Sequence, residues 1–581
     1  MTAAGTARPH TDSAADPQWF RSAVVYQIYP RSFADSDGDG VGDLRGIIGR
    51  LDYLHRLGVD VVWLSPVYRS PQDDNGYDIS DYRDVDPIFG SLADLDELIE
   101  GLHARGMKLV MDLVVNHTSD EHPWFAESRA SKDSPKRDWY WWRPARPGHE
   151  PGTPGAEPNN WASFFSGPVW EFDEASGEYY LHLFSRKQPD LNWENPEVRR
   201  AVYAMMNWWL DRGVDGFRMD VINFLSKDPA LADRPLAQGE LYSHDRSGYV
   251  CGPRIHEFLQ EMHREVFAER GAGLLRVGEM PSVTVEDAVL FTDPARGELD
   301  MVFQFEHVNL DHGNGSKWQP GTLRLTELKA SLNRWQEGLE ERGWNSLYWG
   351  NHDQPRAVSR FGDDGEHREL SAKMLAGVQH LHRGTPYVYQ GEELGMTNMA
   401  FGGIDAHRDI EVLNHYREAT DGLGLDPVQV LEAIAPLNRD NARTPVQWDA
   451  GPNAGFTTGT PWIAVNPNAA EINAADQVDR DDSVFAFYRE LIRLRHELPV
   501  IADGDFTMLL PEHEAVYAFT RRLDGTELLV LGNFSGEPQR VDVGDPGWAD
   551  AEVLLGNYPD SPGLDLRPWE FTCRLRTVAA G

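Results

Sequence analysis

From Trp19 onward, short apolar or β-branched runs alternate with longer amphipathic stretches, the pattern of repeated strand and helix units around a parallel sheet. Eight runs read as strands: Val24 to Pro30, Val61 to Pro66, Lys108 to Val114, Gly216 to Val221, Leu274 to Met280, Met301 to Glu306, Leu347 to Asp353 and Pro386 to Gly391. Helical segments such as Ser91 to Arg105 and Pro196 to Arg212 lie between them, each followed by a Gly that suits a helix stop. Eight such pairs predict an α/β fold, a closed (β/α)8 TIM barrel. An open doubly wound sheet would carry a Gly-rich phosphate turn after its first strand, and none follows Pro30.

Between the third and fourth strands the chain is too long for a simple crossover. Residues 118–189 are rich in Pro, Gly, Asn and aromatics, among them Trp124, the run Trp139-Tyr140-Trp141-Trp142, Trp161 and Trp170. A structureless loop of that length is improbable, so a small inserted domain on the barrel mouth is expected there. A second insertion spans roughly Phe401 to Asp449. From about Val500 the helical pattern gives way to β runs with turn signals such as Asp524-Gly525, which predicts a β-sandwich over 500–581. The expected division is therefore a tail over 1–18, a barrel over 19–117 and 190–499, the insert, and the C-terminal β domain.

Charge and composition narrow the partners. Lys and Arg number 54 against 93 Asp and Glu, a net charge of −39, and so acidic a surface repels phosphate backbones and anionic headgroups. Neither nucleic acid nor a membrane surface is expected as a partner. Cys251 and Cys573 are too few for a disulfide framework or a cysteine-rich metal site. The N-terminus lacks the apolar core of a signal peptide and no run approaches the ~18 apolar residues of a membrane span, so a soluble cytoplasmic protein is expected. The chain also holds 19 Trp, and flat apolar rings beside carboxylates suit sugars, although a large core alone would hold many aromatics.

Barrels of this kind place their chemistry at the C-terminal ends of the strands. Those ends carry Asn116-His117, Arg218-Met219-Asp220, Gly278-Glu279 and Asn351-His352-Asp353. Hydrolysis of a glycosidic bond needs one carboxyl group kept protonated for the leaving oxygen and a second kept ionised. Strand alternation sets Arg218 on the same side as Asp220, where its guanidinium holds that carboxylate charged. Glu279 ends an apolar strand, and desolvation there raises its affinity for a proton. Asp353 is a third carboxylate for sugar hydroxyls and developing positive charge, with His117 and His352 as donors. A separate stretch, Asp35-Ser36-Asp37-Gly38-Asp39-Gly40-Val41-Gly42-Asp43, alternates carboxylates with glycines like the first part of an EF-hand loop. Asp35, Asp37, Asp39, the Val41 carbonyl and Asp43 are candidate ligands for a structural Ca2+, with Mg2+ as the alternative.

Taken together, DLVVNH (112–117), GFRMDVINF (216–224), GEM (278–280) and NHD (351–353) resemble, in order and spacing, glycoside hydrolase family 13, the α-amylase superfamily. The likeness runs from about Trp19 to the C-terminus. It implies a retaining mechanism with Asp220 as nucleophile, Glu279 as acid/base and Asp353 as transition-state stabiliser. Through SPQDDNGYDISDY (70–82), QPDLNWENP (188–196), GTPYVYQGEELGMTN (384–398) and RDNARTPVQWD (439–449), the chain is most similar to the oligo-1,6-glucosidase and α-glucosidase branch. That resemblance implies an Asp74–Arg439 pair closing the pocket behind a terminal glucose, Tyr77 stacking below it and Phe165 lining the same subsite. It also implies an α-1,6 preference from Val221 and a cation on the acidic loop. The expected activity is an exo-acting α-glucosidase on short oligosaccharides such as isomaltose. A sucrose isomerase or transglucosylase would share the glucosyl-enzyme intermediate, but no RLDRD-type motif follows NHDQPR. A non-catalytic binding subunit on the same fold would have lost catalytic carboxylates, and all three stand.

Overall fold

The computed structural model describes residues 16–578; most of the expected 1–18 tail lies outside the described residues. We number the barrel strands in chain order: β1 Val25–Ile28, β2 Val61–Leu64, β3 Lys108–Leu113, β4 Gly216–Met219, β5 Leu275–Glu279, β6 Met301–Phe303, β7 Ser346–Leu347 and β8 Thr385–Tyr389. They pair in parallel in the order β6-β5-β4-β3-β2-β1-β8-β7. A parallel bridge from Val302 to Asn345 joins the two ends and closes the ring. Each of the eight expected runs overlaps a barrel strand, the seventh by Leu347 alone and the eighth starting one residue late. The seventh is far shorter than its apolar run, because the chain leaves the sheet after Leu347 and Asn351 Oδ1 accepts the Asp353 N–H at 2.7 Å.

Strand alternation builds both the core and the mouth. Val25, Val61, Trp63, Val110, Leu275, Val277, Met301 and Phe303 fill the barrel interior, while Tyr26, Val62, Leu109, Met111, Phe217 and Val302 face the surrounding helices. Followed upward, the inward rows turn polar: Gln27 after Val25, Asp112 after Val110, Asp220 after Arg218, and Glu279 after Val277. The helices are locally encoded. Ser91 and Asp94 form a capping box for Leu92–His103. Asn195 caps Pro196–Arg212, Pro196 occupies its first turn, and Gly213 ends it at φ 110°.

Within 118–189 the order Trp142–Arg143, Glu178–Leu181, Trp170–Asp173 forms a small antiparallel sheet. Its core of Trp141, Trp161, Trp170 and Tyr179 is shared with Phe224 and Tyr249 from the chain after β4, which fastens the insert to the mouth. The second insertion carries helices Ile410–Arg417, Pro427–Ile434 and Asp440–Arg443.

The C-terminal region differs from the expected sandwich, for it is one five-stranded antiparallel sheet. Asp524 and Gly525 both take positive φ in its central hairpin, as the sequence signal required. One face, with Phe519, Val530, Phe571 and Cys573, joins the main core beside Met374 and Val378. Gly377 permits that approach, since a Cβ there would come within 2.3 Å of the Phe571 ring. The opposite face is covered by Val541, Trp548 and Leu566 from the connecting chain, so no second sheet is needed to bury it. Among the described residues no helix is long and apolar enough to cross a membrane.

Candidate active site

Three carboxylates converge on one guanidinium at the ends of β3, β4 and β5. Arg218, 1% exposed, places Nη1 at 2.6 Å from Asp112 Oδ1 and 2.8 Å from Asp220 Oδ1, and Nη2 against Glu279 Oε1. The guanidinium lies 4.9 Å from the centre of the Trp63 ring, so its face is covered. Arg218 is therefore shared among Glu279, Asp112 and Asp220, and does not keep Asp220 charged by itself as expected. Burial pushes the proton affinity of Glu279 up, and burial together with the Glu279 charge does the same to Asp220. With one cation among three buried acids, the Asp220–Glu279 pair retains a proton above the ordinary carboxylate range.

The residue after Asp220 is conformationally unusual. Val221 sits at φ 36°, ψ 42°, a left-handed conformation that costs a β-branched residue about 1–3 kcal/mol. In that pose its N–H donates to Glu279 Oε2 at 3.1 Å and its carbonyl accepts from Phe224 N at 2.9 Å.

A second cluster surrounds Asp353. Its Oδ1 accepts from Arg439 Nη1 at 3.1 Å and Arg443 Nη2 at 3.0 Å, and Oδ2 lies 3.4 Å from His352 Nε2. Burial alone would raise Asp353, yet His352, Arg439 and Arg443 hold it far below the usual carboxylate range. His352 is kept neutral by burial, with its affinity lowered to about 3. Its Nδ1 takes the Gln27 amide at 2.8 Å, and its ring stacks on Tyr77 at 5.1 Å and 3°.

The expected Asp74–Arg439 pair is present but loose, at 3.6 Å. The main partner of Arg439 is Asp409, which accepts from Nε at 3.0 Å and from Nη2 at 2.5 Å. Burial lifts Asp74 to about 7, outweighing Arg439 and Arg443. The Phe165 ring lies 5.3 Å from the Arg439 guanidinium. Tyr77 donates its hydroxyl to Asp112 Oδ2 at 3.1 Å, which aims the ring. His117 is also buried and neutral, lowered to about 4, with Nε2 at 3.1 Å from the Tyr77 carbonyl. Thus every expected sugar-binding residue lies at the mouth.

Asp112, Asp409 and Arg443 carry geometry that the sequence reading did not assign. Asp112 was legible in principle, being two residues after inward Val110, the spacing that singled out Asp220. Arg443 follows Arg439 at helical i, i+4 spacing. No pattern marks Asp409.

The acidic loop follows β1 in the chain. Ligand atoms of Asp35, Asp37 and Asp39 fall within 4.8 Å of one another. Asp43 is not in that group; its oxygens accept from Gly46 N at 2.7 Å and Ser36 N at 2.7 Å, capping helix Leu44–Ile48. Gly40, at φ 97°, is required where the loop crosses the Thr460 carbonyl.

The description "Alpha amylase, catalytic domain" matches residues 27–504. The oligo-1,6-glucosidase of Parageobacillus thermoglucosidasius is 57% identical over 558 residues, 95% of this chain and 98% of that one. The crystal structure of Bacillus licheniformis trehalose-6-phosphate hydrolase superposes with a TM-score of 0.89 at 48% identity, covering 96% and 99% of the two chains. That of isomaltulose synthase from Erwinia rhapontici gives 0.91 at 42%, covering 97% and 100%. This chain belongs to the α-amylase family, glycoside hydrolase family 13, and is an enzyme of the glycosidase class.

Proposed function

We propose that the protein is an exo-acting α-glucosidase that removes terminal glucose from short α-1,6-linked oligosaccharides such as isomaltose, with retention of configuration. The observation that carries this reading is the bridging of Asp220 and Glu279 by adjacent nitrogens of one guanidinium. That spacing suits the close carboxyl pair of retaining enzymes, about 5–5.5 Å, better than the wider gap that seats a water in inverting ones. In this mechanism Glu279 gives its proton to the leaving oxygen as Asp220 attacks the anomeric carbon. Glu279 then takes a proton from the water that hydrolyses the glucosyl ester. Asp353, ionised at any working pH, stabilises the positive ring.

The exo mode is supported by the gathering of Asp74, Asp409 and Phe165 around Arg439, the group that the resemblance sets behind a terminal glucose. The α-1,6 preference is supported by Val221 beside Asp220 and by relatives named oligo-1,6-glucosidase. A structural Ca2+ or Mg2+ on Asp35, Asp37 and Asp39 is supported by their hard oxygen donors and mutual proximity. Two unpaired cysteines suit a reducing, cytoplasmic setting.

Glucose release from isomaltose, panose, maltose, sucrose and trehalose, with anomer analysis by NMR, tests the reading. α-Glucose from isomaltose as the leading first product is expected. Isomaltulose or trehalulose as the main product from sucrose would replace hydrolysis by isomerisation.

A further inference from the structure

Lys227, seven residues past Asp220, is fully buried and its ammonium has three partners: Asp190 Oδ2 at 2.9 Å, Asn116 Oδ1 at 3.0 Å and the Phe224 carbonyl at 3.0 Å. The three N–H bonds of an ammonium are thereby used up. Asp190 is satisfied in turn, since Oδ1 accepts from Leu183 N at 3.0 Å and Oδ2 from Asn116 Nδ2 at 3.1 Å. Asn116 and Asp190 stand where the chain leaves the barrel for the insert and returns from it, beside the His117–Asp190 bridge.

We propose that Lys227 is a positioning residue that sets the tautomer of His117 through the side-chain amide of Asn116. An ammonium can only donate, so it requires the amide oxygen on its side. A carboxylate can only accept, so Asp190 requires the amide nitrogen on the other. The same Asn116 nitrogen lies 3.2 Å from His117 Nδ1, which must then accept, and the imidazole proton is confined to Nε2. The far side of the ring does not decide the matter. Nε2 faces both an acceptor, the Tyr77 carbonyl at 3.1 Å, and a donor, Gln188 Nε2 at 3.3 Å. Only a proton on Nε2 can bond Tyr77 or, when a sugar enters, a hydroxyl; a proton on Nδ1 faces Asn116 and reaches neither.

The inference rests on the mouth being a sugar site, and its test is arranged to separate the two. The first readout needs no turnover: 15N spectra of histidine-labelled protein should show His117 Nδ1 unprotonated, and a protonated Nδ1 overturns the proposal even if the glucosidase reading stands. The second is a substitution cycle on kcat/KM for isomaltose. Lys227→Met should cost roughly ten- to a hundredfold in the parent, the range for groups that orient a functional side chain. In a His117→Ala background it should cost less than about twofold, because the two act as one unit. The same factor in both backgrounds would mean that Lys227 only supports the fold. If Lys227→Met does not fold, Asn116→Asp keeps the lysine and offers Nδ1 a carboxylate. It should move the proton to Nδ1 and give the same His117-dependent loss, and an unmoved proton with unchanged kcat/KM overturns the proposal.

Discussion

The two clusters at the barrel mouth solve opposite electrostatic problems with the same residue types. Around Arg218, three buried carboxylates share one cation; around Asp353, three carboxylates, Asp353, Asp409 and Glu411, face three cations, Arg439, Arg443 and Lys317. The first group is under-neutralised and keeps a proton, while the second is balanced and keeps none. The acid chemistry and the charge stabilisation of the proposed mechanism are thus separated by counter-ion count. The sources differ too: the Arg218 group stands on strand ends, whereas the Asp353 group is assembled by chain after β6 and β7 and by the second insertion.

The largest effect should come from the proton-holding side. Asp220→Asn keeps the shape but removes the carboxylate proposed to attack, and kcat on isomaltose should fall on the order of 10⁴-fold or more in protein with an unchanged circular dichroism spectrum. Near-normal turnover would remove Asp220 from the nucleophile's place.

On the balanced side, Asp409→Asn leaves Arg439 buried with loose Asp74 and Glu411 and a shared Asp353. Losing one partner of a buried pair costs about 3–5 kcal/mol, so a clear fall in Tm should accompany the loss of activity. Retained stability would show that Asp353, Asp74 and Glu411 can neutralise both arginines without Asp409.

These contrasts mark what a sequence can disclose. The barrel was readable because alternation along each strand is local, and Val110-Asp112, Arg218-Asp220 and Val277-Glu279 follow it. Asp409 was not readable, because its helical insertion meets Arg439 only through tertiary packing. Val221 ran against local preference, since a β-branched residue is the last choice for a left-handed backbone. The cap formed by Asp43 was hidden by a motif that invited a metal reading of the same carboxylate.

A subtler test concerns pH. The alkaline fall in kcat/KM should report loss of the proton shared by Asp220 and Glu279, while Asp353 is held too low to give an acid limb in the usual range. Asp112 adds a negative charge to that pair. Asp112→Asn should therefore weaken the hold on the proton and move the alkaline limb to lower pH. A limb that stays, or moves up, would show that the Arg218 group does not titrate as a unit.

The smallest effect sharpens the comparison most, because Asp74 touches the balanced cluster yet holds its proton like a member of the other. With a value near 7 it is about half protonated at neutral pH. Asp74→Asn imitates the protonated form, so KM for isomaltose should match the parent below about pH 6. Above pH 8, where the parent carboxylate is ionised toward Arg439, KM should separate by a few-fold. Stability follows the same sign. The folded protein binds this proton more tightly than the unfolded chain, whose value is near 3.9, so the parent loses stability as pH rises from about 4 through 7. Asn carries no such loss, and the Tm of the variant should gain on the parent across that interval. A constant gap would mean that Arg439 keeps Asp74 ionised throughout, placing it with Asp353, Asp409 and Glu411 in a cluster of four carboxylates and three cations.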